Sequence, residues 1–362
     1  MREYPASRRC INKLKIRGIR SGYWAPPIGD AMRSPAQYIV RLAFGFAVSQ
    51  ALRVVADLEI ADHLGEDEWS VDDLATKTQS HADALYRVMR LLAAEGLFRE
   101  TVSRRFRLTE QGEALRSDTG SNPRDLIQML NEEPYLAFAQ LGHSVRTGLP
   151  AFDEVFGKPR FDWLADHPDE AALFQRAMIT LSEGSNEAIA EAYDFGAFSR
   201  VVDVGGGHGQ LLSAILRRHG HLSGVLFDLP SSVQMIRSEA GGNLARTELV
   251  AGNFFESVPQ GADVYVLKKV IHDWSDQQAV AILRNCREAM APHGKVLVAE
   301  TIIPAGNEPN PIKLIDANML VVTGGKERTQ AEYATVLDAA GLRLERVIRT
   351  SQPISLLETG PV

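Results

Sequence analysis

His272 is the residue whose type and position best suit acid–base chemistry. It follows the apolar run Val264 to Leu267 after a single turn and opens the sequence H-D-W-S-D. The run predicts a buried strand, and open α/β sheets bind ligands beyond the carboxyl ends of their strands. Because histidine takes up protons near neutral pH, His272 is suited to act as a general base. The competing interpretation is a structural histidine in a loop.

A glycine-rich turn indicates a ligand site. The apolar run Val201 to Val204 leads directly into Gly205 to Gly209, and a helix is predicted from about Leu211. Glycines let a ligand touch the backbone, but the spacing here is G-x-G-x-G rather than the G-x-G-x-x-G of dinucleotide sites. The turn therefore favours a cofactor without a pyrophosphate, although a tight strand-to-helix connection alone also accounts for the glycines.

Two further strand ends carry side chains suited to a nucleoside. Asp228 ends the next predicted strand about twenty residues later, where a carboxylate can accept both ribose hydroxyls. The third strand ends near Asn253 and Phe254, where a polar side chain suits the adenine amino group and an aromatic ring suits the adenine face. Together with Gly205, these residues form the predicted cofactor site.

The elements that must position these residues alternate between apolar runs and helices. Such alternation predicts a mostly parallel sheet with helices on both faces. Two last apolar stretches, Leu342 to Arg349 and Ile354 to Leu357, predict an antiparallel hairpin at one sheet edge. The predicted parallel strands are Val201 to Val204, Gly224 to Phe227, Val264 to Leu267 and Lys295 to Ala299.

The amino-terminal part is mainly helical. Residues 38 to 64 have apolar side chains at helical spacing on more than one face, which calls for a partner surface. Ser70 suits the start of a helix, Gly96 suits the end of the next, and Phe98 to Leu108 predicts a short hairpin. This is a helix-turn-helix with a wing. Residues 123 to 195 are rich in aromatic side chains and are predicted helical, interrupted by a loop that contains Gly148, Pro150, Gly157 and Pro159.

Composition narrows the class of protein. The 362 residues carry a net charge of -7, which gives no general attraction to nucleic acid or to anionic membranes. No apolar run suits a membrane span, and the two cysteines, Cys10 and Cys286, form no CxxC or Cys/His cluster. We therefore expect a cytoplasmic protein with no metal, no nucleic-acid partner and no membrane partner. Residues 1–35 are basic and are expected to be a poorly ordered leader or sequence upstream of a start at Met32, in preference to an arginine-rich transit peptide.

Five ordered motifs resemble those of one enzyme family. They are V-D-V-G-G-G-H-G at 202–209, F-D-L-P at 227–230, G-N-F-F at 252–255, L-K-K-V-I-H-D-W-S-D at 267–276 and G-G-K-E-R-T at 324–329. Their order resembles that of plant and bacterial small-molecule O-methyltransferases, which include the caffeic-acid and antibiotic-tailoring enzymes. The resemblance covers nearly everything after Pro35. One departure is Asn253, where the family commonly has aspartate.

The resemblance implies an S-adenosyl-L-methionine-dependent enzyme that methylates a hydroxyl of a small aromatic molecule. It implies a homodimer with a winged-helix dimerisation domain (36–120), a helical linker and substrate-pocket region (121–195) and a Rossmann-like catalytic domain (196–362). Lys268 would join Gly205 and Asp228 in holding the cofactor. Glu300 and Glu327 would flank His272 in catalysis.

The aromatic acceptor is expected to lie against the middle segment. The resemblance favours Asn131 and Met178 as lining residues, and planar rings pack well between methionine and aromatic side chains. Further candidates are chosen by composition and position: Trp163 and Ser182 in the middle segment, and Met319 and Val322 in the last domain.

Two other functions fit parts of the pattern. Enzymes of this fold that bind S-adenosylmethionine also perform N-methylation, decarboxylation or hydroxylation. The winged-helix motif is shared by ligand-sensing transcriptional regulators. Against a regulator, the helix that would read DNA offers mainly Arg87 and Arg90 among apolar residues, whereas a groove-reading helix presents more polar side chains.

Overall fold

The computed structural model describes residues 34–119, 122–182, 184–239 and 246–362. The leader expected over residues 1–35 lies outside these ranges except for its last two residues. The described chain consists of an amino-terminal winged-helix region, a helical middle region and a carboxyl-terminal α/β region.

The amino-terminal region is helical apart from a small three-stranded sheet. Its elements are α1 (Pro35–Ala43), α2 (Gly45–Asp57), α3 (Ile60–Leu64), β1 (Trp69–Ser70), α4 (Val71–Lys77), α5 (Ala82–Ala94), β2 (Phe98–Glu100), β3 (Arg105–Leu108) and α6 (Glu110–Glu113). The Ser70 hydroxyl accepts the Asp73 N–H at 3.1 Å and so begins α4, as its sequence predicts. Strands β2 and β3 form the predicted hairpin, and β1 pairs with the other edge of β3. The predicted winged helix is confirmed.

The helical stretch over residues 38–64 is divided into three helices rather than continuous. Glu59 takes the left-handed conformation, φ 52°, which interrupts the helical hydrogen bonds between α2 and α3. Helix α1 buries none of its residues. Within the described ranges no single helix is long and apolar enough to cross a membrane, and α1 and α2 reach that standard only as a pair bent by 41°. Exposed apolar side chains of α1 and the start of α2 are Tyr38, Ile39, Val40, Leu42, Phe44 and Phe46.

The middle region is helical, as predicted, with seven helices among its described residues, but a helix also lies at Ala151–Phe156, inside the stretch whose glycines and prolines predict a loop. The seven helices are α7 (Arg124–Leu130), α8 (Glu133–Phe138), α9 (Leu141–Thr147), α10 (Ala151–Phe156), α11 (Arg160–Ala165), α12 (Pro168–Leu181) and α13 (Ser185–Ala192). Helices α9 and α10 end at Gly148 and Gly157, whose φ angles of 73° and 77° glycine adopts without a steric penalty. These short helices pack aromatic side chains against one another, which builds an apolar region beside the α/β region.

The carboxyl-terminal region is built on a seven-stranded sheet. Its elements are β4 (Arg200–Val204), α14 (Gln210–Arg218), β5 (Ser223–Asp228), α15 (Pro230–Glu239), β6 (Thr247–Ala251), β7 (Val264–Lys268), α16 (Asp276–Ala289), β8 (Lys295–Glu300), α17 (Ile312–Val322), α18 (Gln330–Ala339), β9 (Leu342–Arg349) and β10 (Ser355–Pro361). The strand order is β6-β5-β4-β7-β8-β10-β9. The first five strands are parallel, and β10 is antiparallel to both β8 and β9. The predicted α/β fold with an antiparallel edge hairpin is confirmed.

The sheet places the functional candidates at one edge. Both of its faces are covered by apolar clusters, because helices pack on each side. The chain proceeds outward from β4 to β5 and β6, then returns to β7 on the other side of β4. This reversal is a topological switch point, where open α/β sheets leave a crevice at the carboxyl ends of the strands. Gly205 follows β4 and His272 follows β7, so both border that crevice.

Candidate active site

The glycine-rich turn joins β4 to α14 through backbone conformations that favour glycine. Gly205, Gly207 and Gly209 have φ angles of 68°, 53° and 70°, which L-residues with a Cβ rarely adopt. A Cβ on Gly206 would overlap with Leu226 and Asp203. The Gly205 N–H donates to the Phe227 carbonyl at 2.8 Å, which fixes the turn against β5. The glycines thus serve both backbone conformation and close packing.

Asp228 supports that turn from the end of β5. Its Oδ2 accepts the Gly207 N–H at 2.8 Å, and its Oδ1 accepts the Leu229 N–H at 2.7 Å. Burial raises the pKa of Asp228 against the opposing effect of these N–H donors. A carboxylate has about four acceptor positions, so both oxygens keep capacity for ribose hydroxyls. The ribose role of Asp228 stays a prediction.

Asp203 is a functional candidate that sequence reasoning missed. Its carboxylate is 2% exposed beneath the glycine-rich turn, and its Oδ2 has no hydrogen-bond partner among the described residues. Burial raises the pKa of Asp203 to about 7, although the nearby Lys268 ammonium lowers it. The signal was present in the sequence, since Asp203 is the one charged residue between Val201 and Val204. A buried acceptor without a partner fits a ligand that carries an amino cation, as S-adenosylmethionine does.

Lys268 ends β7 beside Asp203. Its Nζ donates to the Asn186 Oδ1 at 2.6 Å, which ties β7 to α13. Burial lowers the pKa of Lys268 to about 8, while the Asp203 carboxylate raises it. The structure therefore brings Lys268, Asp203 and the glycine-rich turn to one place.

Asn253 and Phe254 follow β6 on the far side of β5. The Asn253 Oδ1 accepts the Phe255 N–H at 3.0 Å, so this amide closes a local turn. The Phe254 ring lies edge-on to Trp274 at a centroid distance of 5.7 Å, and it lies close to Gly205. Phe254 is thus next to the predicted cofactor turn. The adenine contacts of Asn253 and Phe254 stay predictions.

His272 lies in a buried cluster with the two glutamates named from the sequence. It sits in a short 3-10 turn, Ile271–Asp273, directly after β7. Its Nδ1 is 2.7 Å from the Glu327 Oε1, and its backbone N–H donates to the Glu300 Oε1 at 3.2 Å. A carboxylate on Nδ1 assigns the proton of the neutral ring to that nitrogen, which leaves Nε2 as the acceptor. The structure brings His272, Glu300 and Glu327 together.

Charge around His272 favours its protonated form. Burial alone lowers the pKa of His272, but the carboxylates of Glu300, Asp273 and Glu327 outweigh burial and raise it to about 9. For the Glu327 carboxyl, burial acts in the opposite direction and raises the pKa. Its hydrogen bond to His272 and the charges of His272 and Lys269 outweigh burial and hold the pKa of Glu327 below its ordinary value. The imidazolium is thus a well-stabilised product of proton transfer.

The same cluster contains ligand-type atoms of His272, Glu300 and Glu327 within 4.8 Å of one another. The Lys269 Nζ lies 3.7 Å from the Glu300 Oε2 and 3.7 Å from the Glu327 Oε1. Because this ammonium already supplies positive charge there and repels a second cation, we do not assign these side chains as metal ligands.

Arg328 holds the turn that carries His272. This residue was not identified from the sequence. Its guanidinium is fully buried and donates to the Ile271 carbonyl at 3.0 Å and to the Trp274 carbonyl at 2.8 Å. It also donates twice to the Asp276 Oδ1, at 3.0 and 2.8 Å. These bonds fix both ends of the turn that carries His272. The signal was the arginine beside Glu327 in G-G-K-E-R-T.

Replacing Arg328 by methionine is expected to lower the free energy of unfolding by at least about 2 kcal/mol, because the buried Ile271 carbonyl and the partly buried Trp274 carbonyl lose the hydrogen bonds of its guanidinium. Urea unfolding measures this change. The matched control is Arg284→Met, since exposed Arg284 makes one long hydrogen bond, 3.4 Å, to the Ala339 carbonyl. We expect the control to stay within about 0.5 kcal/mol of the wild type. Equal stability of the two variants would contradict the structural role of Arg328.

The acceptor candidates are only partly brought together. Trp163 packs edge-on to Phe152 at 5.9 Å and belongs to an apolar cluster that includes Val322. Met319 is buried on the same helix as Val322, and Met178 is half-buried on α12. Ser182 lies apart from this cluster, in an open groove of about 460 Å³ that also contains Asn186 and His208 beside the glycine-rich turn.

Asn131 is tied to the amino-terminal region. Its Oδ1 accepts from the Ser49 hydroxyl at 2.7 Å and from the Gln50 amide at 2.9 Å. Its Nδ2 donates to the Ile127 carbonyl at 2.9 Å. These three bonds use most of its capacity, so Asn131 links α2 to α7. A contact between Asn131 and an acceptor stays a prediction.

A glycine-rich turn, a strand-end carboxylate and a switch-point crevice define a Rossmann-like enzyme that binds a nucleoside cofactor. Comparison with known families agrees. A model of the O-methyltransferase domain matches residues 138–343, and a model of the O-methyltransferase dimerisation domain matches residues 40–118. The chain belongs to the O-methyltransferase family and is an S-adenosylmethionine-dependent O-methyltransferase with a dimerisation domain.

Individual relatives align with most of the chain. Phenazine O-methyltransferase PhzM of Lysobacter antibioticus is 41% identical over 330 residues, which cover 90% of this chain and 96% of the relative. The 2,7-dihydroxy-5-methyl-1-naphthoate 7-O-methyltransferase of Streptomyces carzinostaticus is 40% identical over 320 residues, 87% of this chain and 94% of the relative. The crystal structure of NcsB1 from neocarzinostatin biosynthesis, in complex with S-adenosylmethionine and 2-hydroxy-5-methyl naphthoic acid, has a TM-score of 0.77 and 38% identity, covering 87% of this chain and 96% of that one.

Proposed function

We propose that this enzyme methylates a hydroxyl of a small aromatic molecule, phenolic or quinone-type, with His272 as the general base. One observation carries the proposal: in the turn that follows β7, the Nδ1 of His272 is 2.7 Å from the Glu327 Oε1, which leaves Nε2 as the proton acceptor. The substrates in the names of its relatives, a phenazine and a naphthoate, support an aromatic acceptor.

As the base, His272 would lower the free-energy cost of removing the proton from the acceptor hydroxyl. A phenol with a pKa near 10 is about 0.1% ionised at pH 7, so forming the phenolate costs about 4 kcal/mol. A base that accepts the proton during attack removes much of this cost, and such bases contribute about 10²- to 10⁴-fold to the rate. Glu327 orients the ring and stabilises the imidazolium. Because only neutral His272 accepts a proton, activity rises as pH increases through its pKa.

The cofactor site would use residues around the glycine-rich turn. When bound, S-adenosylmethionine supplies an activated methyl group on a sulfonium. Asp228 would accept from the ribose, Asn253 and Phe254 would meet the adenine, and Gly205 would let the backbone approach. The Asp203 Oδ2, which has no hydrogen-bond partner among the described residues, would accept from the amino cation, with Lys268 beside it. Alignment of the two reactants contributes up to about 7 to 11 kcal/mol.

The acceptor would lie between the middle helices and α17. Trp163, Met178, Met319 and Val322 offer the apolar surfaces on which a planar ring packs, and Asn131 would add a polar contact through its remaining amide N–H. Phe161 and Trp274, with ring centroids 5.8 Å apart, connect this surface to the turn that carries His272. We assign the acceptor pocket to this region.

We further propose a cytoplasmic homodimer with domains 36–120, 121–195 and 196–362. The outward apolar side chains of α1 supply a surface that a second copy can cover. The dimerisation model spans residues 40–118, which fits the first domain. Among the described residues, Cys286 is buried and its thiol pKa is raised to about 12 by that burial, so it suits a reducing compartment as an inert core residue.

A panel of phenols and hydroxyquinones incubated with the enzyme and S-adenosylmethionine is expected to yield singly methylated ethers, detected by mass spectrometry. Matched amino analogues, in which an amine replaces the hydroxyl, test for N-methylation. We expect turnover of at least one hydroxyl compound and at most weak turnover of its amino analogue. Exclusive methylation of the amines, or products that lack the added methyl group, would contradict the proposal.

A further inference from the structure

Lys269 stands beside the two buried carboxylates that contact His272. Its Nζ is 3.7 Å from the Glu300 Oε2 and 3.7 Å from the Glu327 Oε1. Both glutamate side chains are fully buried, whereas that of Lys269 is 33% exposed. The Glu300 Oε2 and the Glu327 Oε2 have no hydrogen-bond partner among the described residues. Apart from His272 itself, Lys269 is therefore the basic side chain within 4 Å of both carboxylates among the described residues.

The backbone holds Lys269 in this position. Its φ of 54° lies in the left-handed region, which L-residues rarely adopt and which concentrates at functional sites. Its N–H donates to the Ala299 carbonyl at 3.1 Å, which ties the turn after β7 to β8. The turn therefore fixes the point from which the Lys269 side chain starts, next to β8.

Acidic side chains outnumber basic ones around His272. Glu300 faces it from β8, Glu327 from the loop before α18, and Asp273 from the same short turn, with its Oδ2 3.9 Å from the His272 Nε2. The opposing positive charge comes from Lys269, while Arg160 of α11 acts on Asp273 and the Tyr333 hydroxyl of α18 faces the two glutamates. Three acids against one nearby cation would hold a proton firmly on the imidazole.

We propose that Lys269 is a positioning residue for catalysis, whose ammonium offsets Glu300 and Glu327 so that the His272 imidazole releases its proton and can serve as the base. The proposal rests on the proposed role of His272. In agreement with this role, the charge of Lys269 lowers the pKa of His272 against the three carboxylates that raise it. Without Lys269, a smaller fraction of His272 would be neutral at pH 7.

The test replaces Lys269 by methionine and, as a second uncharged variant, by glutamine. Histidine labelled with ¹³C at Cε1 reports the imidazole titration by NMR in the cofactor-free enzyme, with His272→Asn to assign the signal. We expect the His272 pKa to rise by about one unit in both variants. The acid limb of the kcat/KM profile should shift upward equally, which lowers kcat/KM at pH 7 by about tenfold.

Two controls separate charge from structure. Lys269→Arg keeps the charge and the same left-handed backbone, so it should retain the wild-type titration. Lys295→Met removes an ammonium that pairs with Glu345 at 2.6 Å at the start of β8, the opposite end of the strand from Glu300, and should leave the profile unchanged. An unshifted His272 titration in both uncharged variants, or loss of activity equal at every pH, would overturn the proposal. Because the NMR titration needs no turnover, it remains decisive even if His272 is not the base.

Discussion

Replacing His272 by alanine is expected to lower kcat at least about a hundredfold while the dissociation constant for S-adenosylmethionine stays within about twofold. The loss follows because the variant has no group to accept the hydroxyl proton at the end of β7. Cofactor binding persists because the glycine-rich turn and Asp228 belong to other strand ends, β4 and β5. Steady-state kinetics and calorimetry measure the two quantities.

The matched control for this variant is His221→Ala. His221 is exposed before β5 and contacts only the Phe198 carbonyl among the hydrogen bonds described, at 3.0 Å. The control should keep wild-type kcat. Wild-type turnover in His272→Ala would remove His272 from its role as base, and loss of cofactor binding in that variant would show that the effect is structural.

Replacing Asp228 by alanine is expected to raise the dissociation constant for S-adenosylmethionine at least about tenfold. The substitution removes the carboxylate that accepts the Gly207 N–H at 2.8 Å. It also removes the charged acceptor of the ribose hydroxyls. Hydrogen bonds to charged groups contribute about 1.5 to 3 kcal/mol, which corresponds to about 10- to 150-fold in affinity. Isothermal titration calorimetry measures the constant directly.

Asp263→Ala controls for the loss of backbone support. The Asp263 Oδ2 accepts the Ser199 and Arg200 N–H groups at 2.8 and 2.9 Å, so it supports β4 at its amino end as Asp228 supports the turn at its carboxyl end. We expect this variant to lose stability but to bind the cofactor normally. Equal weakening of cofactor binding in both variants would overturn the ribose assignment of Asp228.

The fold followed from the sequence because its patterns are local. Val264 to Leu267 is a continuous apolar run, and Val201 to Val204 is apolar except for Asp203, as expected of parallel strands that are buried on both faces. Asp228 and His272 could be placed at one sheet edge because carboxyl ends of parallel strands meet there. The break of the helix before Ile60 was not predictable, since it depends on a left-handed Glu59 that no glycine announces.

The charged groups that complete the site depend on contacts distant in sequence. Arg328 reaches the Ile271 carbonyl across 57 residues, and Lys269 meets Glu300 and Glu327 only once β7, β8 and the loop before α18 are assembled. The Asn131 oxygen likewise accepts from the Ser49 hydroxyl across 82 residues. The spacing of residues along the chain does not show which of them pair in this way. These contacts become evident only in the folded structure.

The most direct test of the central claim is a crystal structure of the enzyme with S-adenosylhomocysteine and an acceptor identified by the mass-spectrometric panel. The distance from the His272 Nε2 to the reacting hydroxyl oxygen is the quantity to measure. We predict a hydrogen bond of about 2.6 to 3.2 Å, with Nδ1 still on Glu327. An imidazole turned away from the acceptor, with another side chain at the hydroxyl, would contradict the mechanism.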